Sequence, residues 1–367
     1  MSTHMTPRIT LQLVADHLGC SAKTVANAFN RPDQLSPATR QRVLAAAARL
    51  GYPGPDPLAA SLRRGRVGAL GFAYANSLTY AFDDPVSVQL LAGISSVAEE
   101  ARIGLLLLPG SATASRNSAA VSGAVIDGLL INSLADDDPL VDAALTRRLP
   151  TVVIDQPDPE ELKRRASGPP PAWIGIDDRA AARQAAEHLL ALGHRRLAVI
   201  TFGLHRSPVR EFANERAQAA ATYSVTRHRL EGYRDAVTKA GLDWSTVPVA
   251  AGTDSTIGEG AAAAAALLQR TPRPTAILCL SDRLADGAMQ TARTRGLDIP
   301  RDLSIVGFDD GPPAADLGLT TIRQPHRLKG ELAAHALLAM IDDHDTKRPQ
   351  QLPTELLPRS STQPPPP

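Results

Sequence analysis

Lys23, Thr24 and Asn27 stand on a short apolar-periodic segment, Ala22 to Phe29, that opens on Ser21 and turns Val25, Ala28 and Phe29 to one side. These residue types suit duplex DNA. Lys donates to guanine acceptors, and Asn can pair with adenine through both amide atoms. The Thr24 hydroxyl suits a phosphate oxygen. Such side chains reach a groove only if another helix docks theirs, and the preceding segment supplies it. Thr10 is a good N-cap, Leu11, Val14, Ala15 and Leu18 share a face, and Gly19 has the backbone freedom to stop the helix. Two helices joined by about three residues including a Gly form the helix-turn-helix pattern. Its second helix offers N-terminal side chains to base edges, here Ala22, Lys23 and Asn27. A third segment starts at Ser36 with Pro37 in the first helical position. It turns Val43, Leu44, Ala47 and Leu50 inward and ends at Gly51.

Charge separates this reading from a plain three-helix bundle. Residues 1–66 hold nine basic side chains and three acids, a net +6, whereas the whole chain carries only +1. The remainder is therefore mildly acidic. A basic head on an acidic body is the electrostatic footprint of a phosphate binder.

From Val67 onward, short apolar strands alternate with helical patterns. Strands are expected at 67–74, 104–108, 124–131, 151–154, 173–176, 197–201, 247–250, 276–280 and 304–308. Helices are expected at 86–101, 139–148, 179–192, 229–240, 258–269 and 283–295. That alternation implies parallel sheets with helices on both faces. The Pro-rich stretch 157–172 suggests a crossing between two lobes. Ligands of such sheets sit beyond the carboxyl ends of the strands. Asp155 falls there, and Tyr80, Phe82 and Asp83 lie in the loop after the first strand. The expected class is an all-α helix-turn-helix head on an α/β body of two lobes with a cleft between them, the periplasmic-binding-protein architecture. The head spans 8–54, a hinge segment 55–66, the two-lobed effector-binding and dimerisation body 67–357, and a disordered tail 358–367, which ends in four prolines.

With 367 residues, 43% hydrophobic and 21% charged, the chain describes an ordinary multidomain globular protein. No stretch is long and apolar enough to span a bilayer, and there is no signal-peptide layout, so a cytoplasmic location without membrane partners is expected. Cys20 and Cys279 are too few for a disulfide framework or a metal site. Catalytic motifs are wanting: no G-x-S-x-G elbow, no Walker loop and no His/Cys cluster with metal spacing. The run Asp136–Asp138 reads as a solvated acidic loop, and His188 and His194 flank a helix end. No catalytic residue, metal or cofactor is expected.

The head resembles that of the LacI/GalR family of bacterial transcription regulators. The resemblance rests on Thr10, Leu11, Val14, Ala15, Ser21, Thr24, Val25, Asn30, Ser36, Thr39, Arg40, Val43, Gly51 and Tyr52, then Pro55, Ala59, Ser61 and Leu62. Ala26 and Asn27 stand where that family usually has Ser and Arg. The body joins in through IGIDDRAAARQAAEHLLALGHRRLAVI, RHRLEGYRDAV, AILCLSDRLADGAM, IPRDLSIVGFDDGP and LGLTTIRQP.

The resemblance implies a homodimer on double-stranded operator DNA, controlled by a small-molecule effector. It adds Thr10, Ser21 and Asn30 to the DNA-contacting set. It casts Pro57–Arg64 as a hinge helix, with Leu62 as a minor-groove wedge, Ala59 allowing close approach of two hinges, and Arg63 near phosphate. It makes Arg229 of an R-x-x-G pattern, the pair Ser281–Asp282, and Asp309 effector contacts. The stretch 205–226 has no clear match and is read as a variant loop over the cleft. The function implied is a transcription regulator, a repressor answering to a sugar or related metabolite. The competing reading is a small-molecule-binding protein or enzyme of the same two-lobed fold whose helical head does not bind DNA.

Overall fold

The computed structural model describes residues 9–54, 65–108, 114–168, 170–344 and 350–366. Ala59, Leu62 and Arg63, with most of the expected hinge, lie outside the described residues. The chain divides into two compact units, Met1–Gly68 and Ala69–Pro367.

The head contains α1 (Leu11–Leu18), α2 (Ala22–Asn30) and α3 (Pro37–Leu50). Each starts on a hydroxyl cap: Thr10, Ser21 and Ser36 accept from the amides of Leu13, Thr24 and Thr39. α1 and α3 end on Gly19 and Gly51, both in the left-handed region at φ 63° and 72°, which glycine adopts without steric cost. Val14, Ala15, Val25, Ala28, Val43, Ala47 and Tyr52 form the core. Phe29 closes it edge-on against Tyr52, ring centroids 5.8 Å apart.

Among the described residues the body holds two large sheets, one in each lobe, and a two-stranded one. The N-lobe sheet has the order β12-β5-β4-β3-β1-β2, all parallel: β1 Ala69–Tyr74, β2 Gly104–Leu108, β3 Gly128–Asn132, β4 Thr151–Ile154, β5 Ala172–Ile176 and β12 Gln350–Leu352. The C-lobe sheet runs β10-β9-β6-β8-β7, with β6 Leu197–Thr201, β7 Glu211–Phe212, β8 Val249–Ala251, β9 Ala276–Cys279 and β10 Ser304–Val306. Only the edge strand β7 is antiparallel there. β11 (Thr321–Arg323) pairs antiparallel with β13 (Glu355–Leu357).

The chain changes lobe three times, after β5, after β11 and after β12. The expected crossing at 157–172 is therefore corrected. Pro159–Arg165 is a helix capped by Asp158, and β5 still pairs with β4 before the chain leaves. The helix His326–Ile341, absent from the sequence reading, returns to the N-lobe and packs along Pro85–Ala101. Contact is close because Gly93 and Gly330 face the opposing backbone; a Cβ on either would meet a main-chain carbonyl. In the C-lobe, Gly232 of the R-x-x-G pattern lets the helix Ser224–Lys239 lie against Asp178–Ala191 in the same way.

The tail expected to be disordered is instead bonded into the C-lobe. Ser361 is buried, donates its amide to Gly318 O, accepts the Ile305 amide, and its hydroxyl joins Thr320 N to Ile305 O. His194 does follow the end of the helix Asp178–Ala191, its amide donating to Leu189 O, but its ring does more than cap. It is buried, with its ring nitrogens bonded to Thr275, Ser304 and the Gln363 carbonyl. Pro-rich composition masked these hydrogen bonds, which are long-range and leave no local sequence pattern.

Candidate functional sites: a helix-turn-helix head and an interlobe cleft

On α2, Lys23, Asn27 and Asn30 are spaced i, i+4 and i+7 and so share one face. Lys23 and Asn30 are exposed; Asn27 is half-buried and donates from Nδ2 to Gln34 Oε1 at 3.1 Å. That bond holds the amide plane while its oxygen keeps accepting capacity. Ala22 and Thr24 sit at the first turn, and the Ser21 and Thr24 hydroxyls are 2.9 Å apart. Thr10 and Ser21 thus fix helix starts, where free backbone N–H groups favour anions. Arg31, Arg40, Arg42 and Arg49 are exposed on the same unit.

Between the lobes lies a cavity of about 730 Å³. Of the residues expected there, Tyr80, Asp155, Arg229, Ser281 and Asp309 line it. Three do not. Phe82, 60% exposed, and Asp83 sit on the outer side of the short helix Leu78–Asp83, which turns Tyr80 inward. Asp282 lies behind the wall: its carboxylate accepts from Gly311 N and the Thr321 hydroxyl. Burial pushes its carboxyl up to about 7, against those two bonds.

The floor of the cleft is an ionic chain. Lys329, wholly buried, donates to Asp155 Oδ1 at 2.6 Å and to Gln324 Oε1 at 2.8 Å. Gln324 Nε2 in turn donates to Asp309 Oδ1 at 2.7 Å. Arg229 donates from Nε to Asp178 at 2.7 Å and from Nη1 to the Leu280 carbonyl, with its guanidinium 3.6 Å over the Phe308 ring. Burial raises the Asp309 carboxyl well above its usual range, Arg229 opposing it. His326 is pushed the other way, kept uncharged by burial and by Lys329 and Arg229.

Ser133, Asp155 and Asp309 all have positive φ, 60°, 61° and 123°. Each follows the end of a strand and lines the cavity. Non-glycine residues held so are strained, and such strain collects at ligand sites.

Sequence reasoning missed Asn76, Asp84, Asp138, Gln156, Arg206, Tyr223, Asp254, Gln324 and His326. Of the Asp136–Asp138 run, read as solvated, Asp137 is exposed, but Asp136 and Asp138 are structural. Asp136 Oδ2 accepts from both Arg227 terminal nitrogens at 3.0 Å, and Asp138 caps a helix and faces Arg206 at 3.4 Å. These contacts join the lobes on one side. Val225 N donating to Gln156 Oε1 and His228 Nε2 at 3.2 Å from Asp158 add to them. On the other side Asn76 donates to Asp254, and the Tyr80 hydroxyl to the Ser255 carbonyl. The 205–226 stretch does face the cleft, through Arg206, Pro208 and Tyr223, and between Pro208 and Tyr223 it forms β7 and the short helix Glu215–Ala219. Among the described residues no group of His, Cys, Asp and Glu is arranged to hold a metal, and no helix is long and apolar enough to cross a membrane.

Residues 186–362 match the periplasmic binding protein-like domain family. An HTH-type transcriptional regulator of Mycobacterium tuberculosis is 42% identical over 90% of each chain. The HTH-type transcriptional regulator IpsA of Corynebacterium glutamicum is 39% identical over 97% of this chain and 98% of its own. Among solved structures, a LacI-family regulator from Corynebacterium glutamicum superposes with TM-score 0.74 at 34% identity, covering 96% and 98% of the two chains. The lac repressor dimer bound to operator and an anti-inducer gives 0.75 at 27%, covering 97% and 99%. A complex of the transcriptional regulator CelR with cellobiose gives 0.67 at 28%, covering 96% and 100%.

Proposed function

The chain belongs to the LacI/GalR family of transcription regulators, a DNA-binding regulator controlled by a small-molecule effector, and on that premise we propose that it is a homodimeric repressor whose effector is a neutral polyhydroxylated molecule such as a sugar. The observation that carries the effector class is the make-up of the cleft. Asp84, Asp138, Asp155, Asp254 and Asp309 line it against two guanidiniums, Arg206 and Arg229. Carboxylates accept from hydroxyls and planar Arg donates to them, so the set matches a polyol. Lys329 neutralises Asp155, Arg206 faces Asp138, Arg283 faces Asp84, and burial raises the Asp309 carboxyl, so the lining carries little net charge, which suits a neutral effector. Cellobiose in the CelR complex supports the same class, and the likeness to the lac repressor dimer supports repression and dimerisation.

In this reading two copies of α2 enter successive major grooves of a near-palindromic site, with Lys23 and Asn27 reading bases and Leu62 wedging the minor groove. Effector binding alters the relation of the lobes, and the chain entering β1 from Gly68 passes that change towards the heads. An effector can do this only by binding the two lobe arrangements differently. The test is operator binding, followed by fluorescence anisotropy on DNA flanking the protein's own gene, with and without each member of a sugar and polyol panel. A saturable change in operator affinity with a neutral polyol supports the proposal. A response to phosphorylated or carboxylated metabolites alone contradicts it.

A further inference from the structure

We propose that Gln34 is a positioning residue for base readout: by holding one amide hydrogen of Asn27, it makes that side chain select adenine over guanine in the major groove. This rests on the reading of Asn27 as a base contact given above. Asn27 Nδ2 donates to Gln34 Oε1 at 3.1 Å. The chain around Gln34 holds it in place. The Arg31 amide donates to Asn27 O at 2.8 Å and closes α2. Pro32–Gln34 then makes one 3₁₀ turn, with Gln34 N donating to Arg31 O and Leu35 N to Pro32 O. Pro32 starts that turn with its φ fixed by the ring. Leu35 anchors the far end by packing on the core of the head. Gln34, itself exposed, thus reaches back seven residues to the α2 face that carries Lys23, Asn27 and Asn30.

An Asn side chain has two amide hydrogens and one acceptor oxygen. In the major groove adenine shows an acceptor, N7, beside a donor, its N6 amino group, whereas guanine shows two acceptors, N7 and O6. With one hydrogen kept by Gln34, Asn27 has one donor and its Oδ1 left, and that pair is the complement of adenine. Guanine would need both hydrogens, or would set its O6 against Oδ1, acceptor against acceptor. An unheld amide can turn, because the last torsion of Asn is broad and roughly two-fold, and it can then offer both hydrogens to guanine. Lys23, four residues earlier on the same face, carries donors only and suits the guanine acceptors of another pair. Gln34 in this way keeps the two readers of α2 from competing for the same base.

The test uses the full-length protein as wild type, Asn27→Ala, Gln34→Ala and Gln34→Glu. Each selects bound duplexes from a random-sequence DNA pool, and competition binding then measures all four bases at every half-site position. The wild type is expected to prefer adenine over guanine about tenfold or more at one position, and Asn27→Ala should flatten that preference. Gln34→Ala should shrink it to about threefold or less at that position alone, mainly by gaining guanine sites. Gln34→Glu keeps the acceptor and should hold the preference near wild type, while its charge lowers affinity for every duplex by one common factor. Gln34 is exposed, so both of its variants are expected to melt with the wild type. An unchanged preference in Gln34→Ala, with or without an equal loss on all sequences, overturns the inference and leaves Asn27 as a base contact. So does a Gln34→Glu that relaxes the preference as Gln34→Ala does, or a wild type that prefers guanine opposite Asn27. If Asn27→Ala alters no base preference, or the wild type selects no common sequence, the reading of Asn27 falls and the inference with it.

Discussion

Single side chains are expected to carry both halves of this regulator's chemistry. On α2, Lys23 is exposed and Asn27 is oriented by Gln34. Lys23→Ala and Asn27→Ala are each expected to cost about 1–3 kcal/mol of discrimination between operator and random DNA, read by competition binding. Equal losses on both DNAs would reassign them to phosphate contact. In the cleft, Lys329 is wholly buried and neutralises Asp155. Replacing it by Met leaves Asp155 and Gln324 without their donor, so urea unfolding should show about 3 kcal/mol less stability. A loss under about 1 kcal/mol would mean that water solvates Asp155 adequately. Arg229 and Asp309 were legible in the sequence because they sit in short local patterns. His326 and Gln324 were not: their roles depend on a helix returning from the C-lobe, and on bonds to residues such as Asp155, 174 positions from Lys329. Nor does sequence show positive φ at a residue such as Asp309.

At the scale of elements, the helix Ser224–Lys239 contributes both Arg229 to the cleft and Arg227 and His228 to the interlobe contacts. The Asp158 hydrogen bond raises the His228 pKa, with burial and then Arg227 opposing and Asp178 a weaker attraction, and the same bond holds the Asp158 carboxyl down to about 2. A raised pKa means that the stabilisation is fully present below the unfolded imidazole value of about 6.5 and fades as pH rises through the folded value. The melting temperature of His228→Asn should therefore fall furthest below wild type near pH 6, and the two should converge towards pH 9. A gap that widens with pH would contradict this. The buried tail makes a second element-level prediction. Ser361→Ala, which removes a hydroxyl bonded to Thr320 N and Ile305 O, should cost about 1–3 kcal/mol in denaturant unfolding; a neutral change would show the tail detached. Most strands were readable, and β2, β4 and β6 fall where apolar runs place them. The helix His326–Ile341 was not, because it buries residues on several faces, including Lys329 and Gly330, and so lacks a clean apolar stripe. The helix Pro159–Arg165 hid in a proline-rich stretch, although Asp158 followed by Pro159 is a sound start signal.

The whole molecule combines a DNA-binding head with a cleft whose lobes are bridged on two sides by ion pairs and hydrogen bonds. Regulation then requires coupling between two sites, and coupling of binding free energies is reciprocal. Operator affinity measured with and without saturating effector, beside effector affinity measured with and without saturating operator, tests this most directly. The same factor is expected from both directions, roughly 5–150-fold. Asp309→Asn should need a higher effector concentration to produce the change. A ligand that fills the cleft yet leaves operator affinity unmoved in both measurements would contradict this coupling.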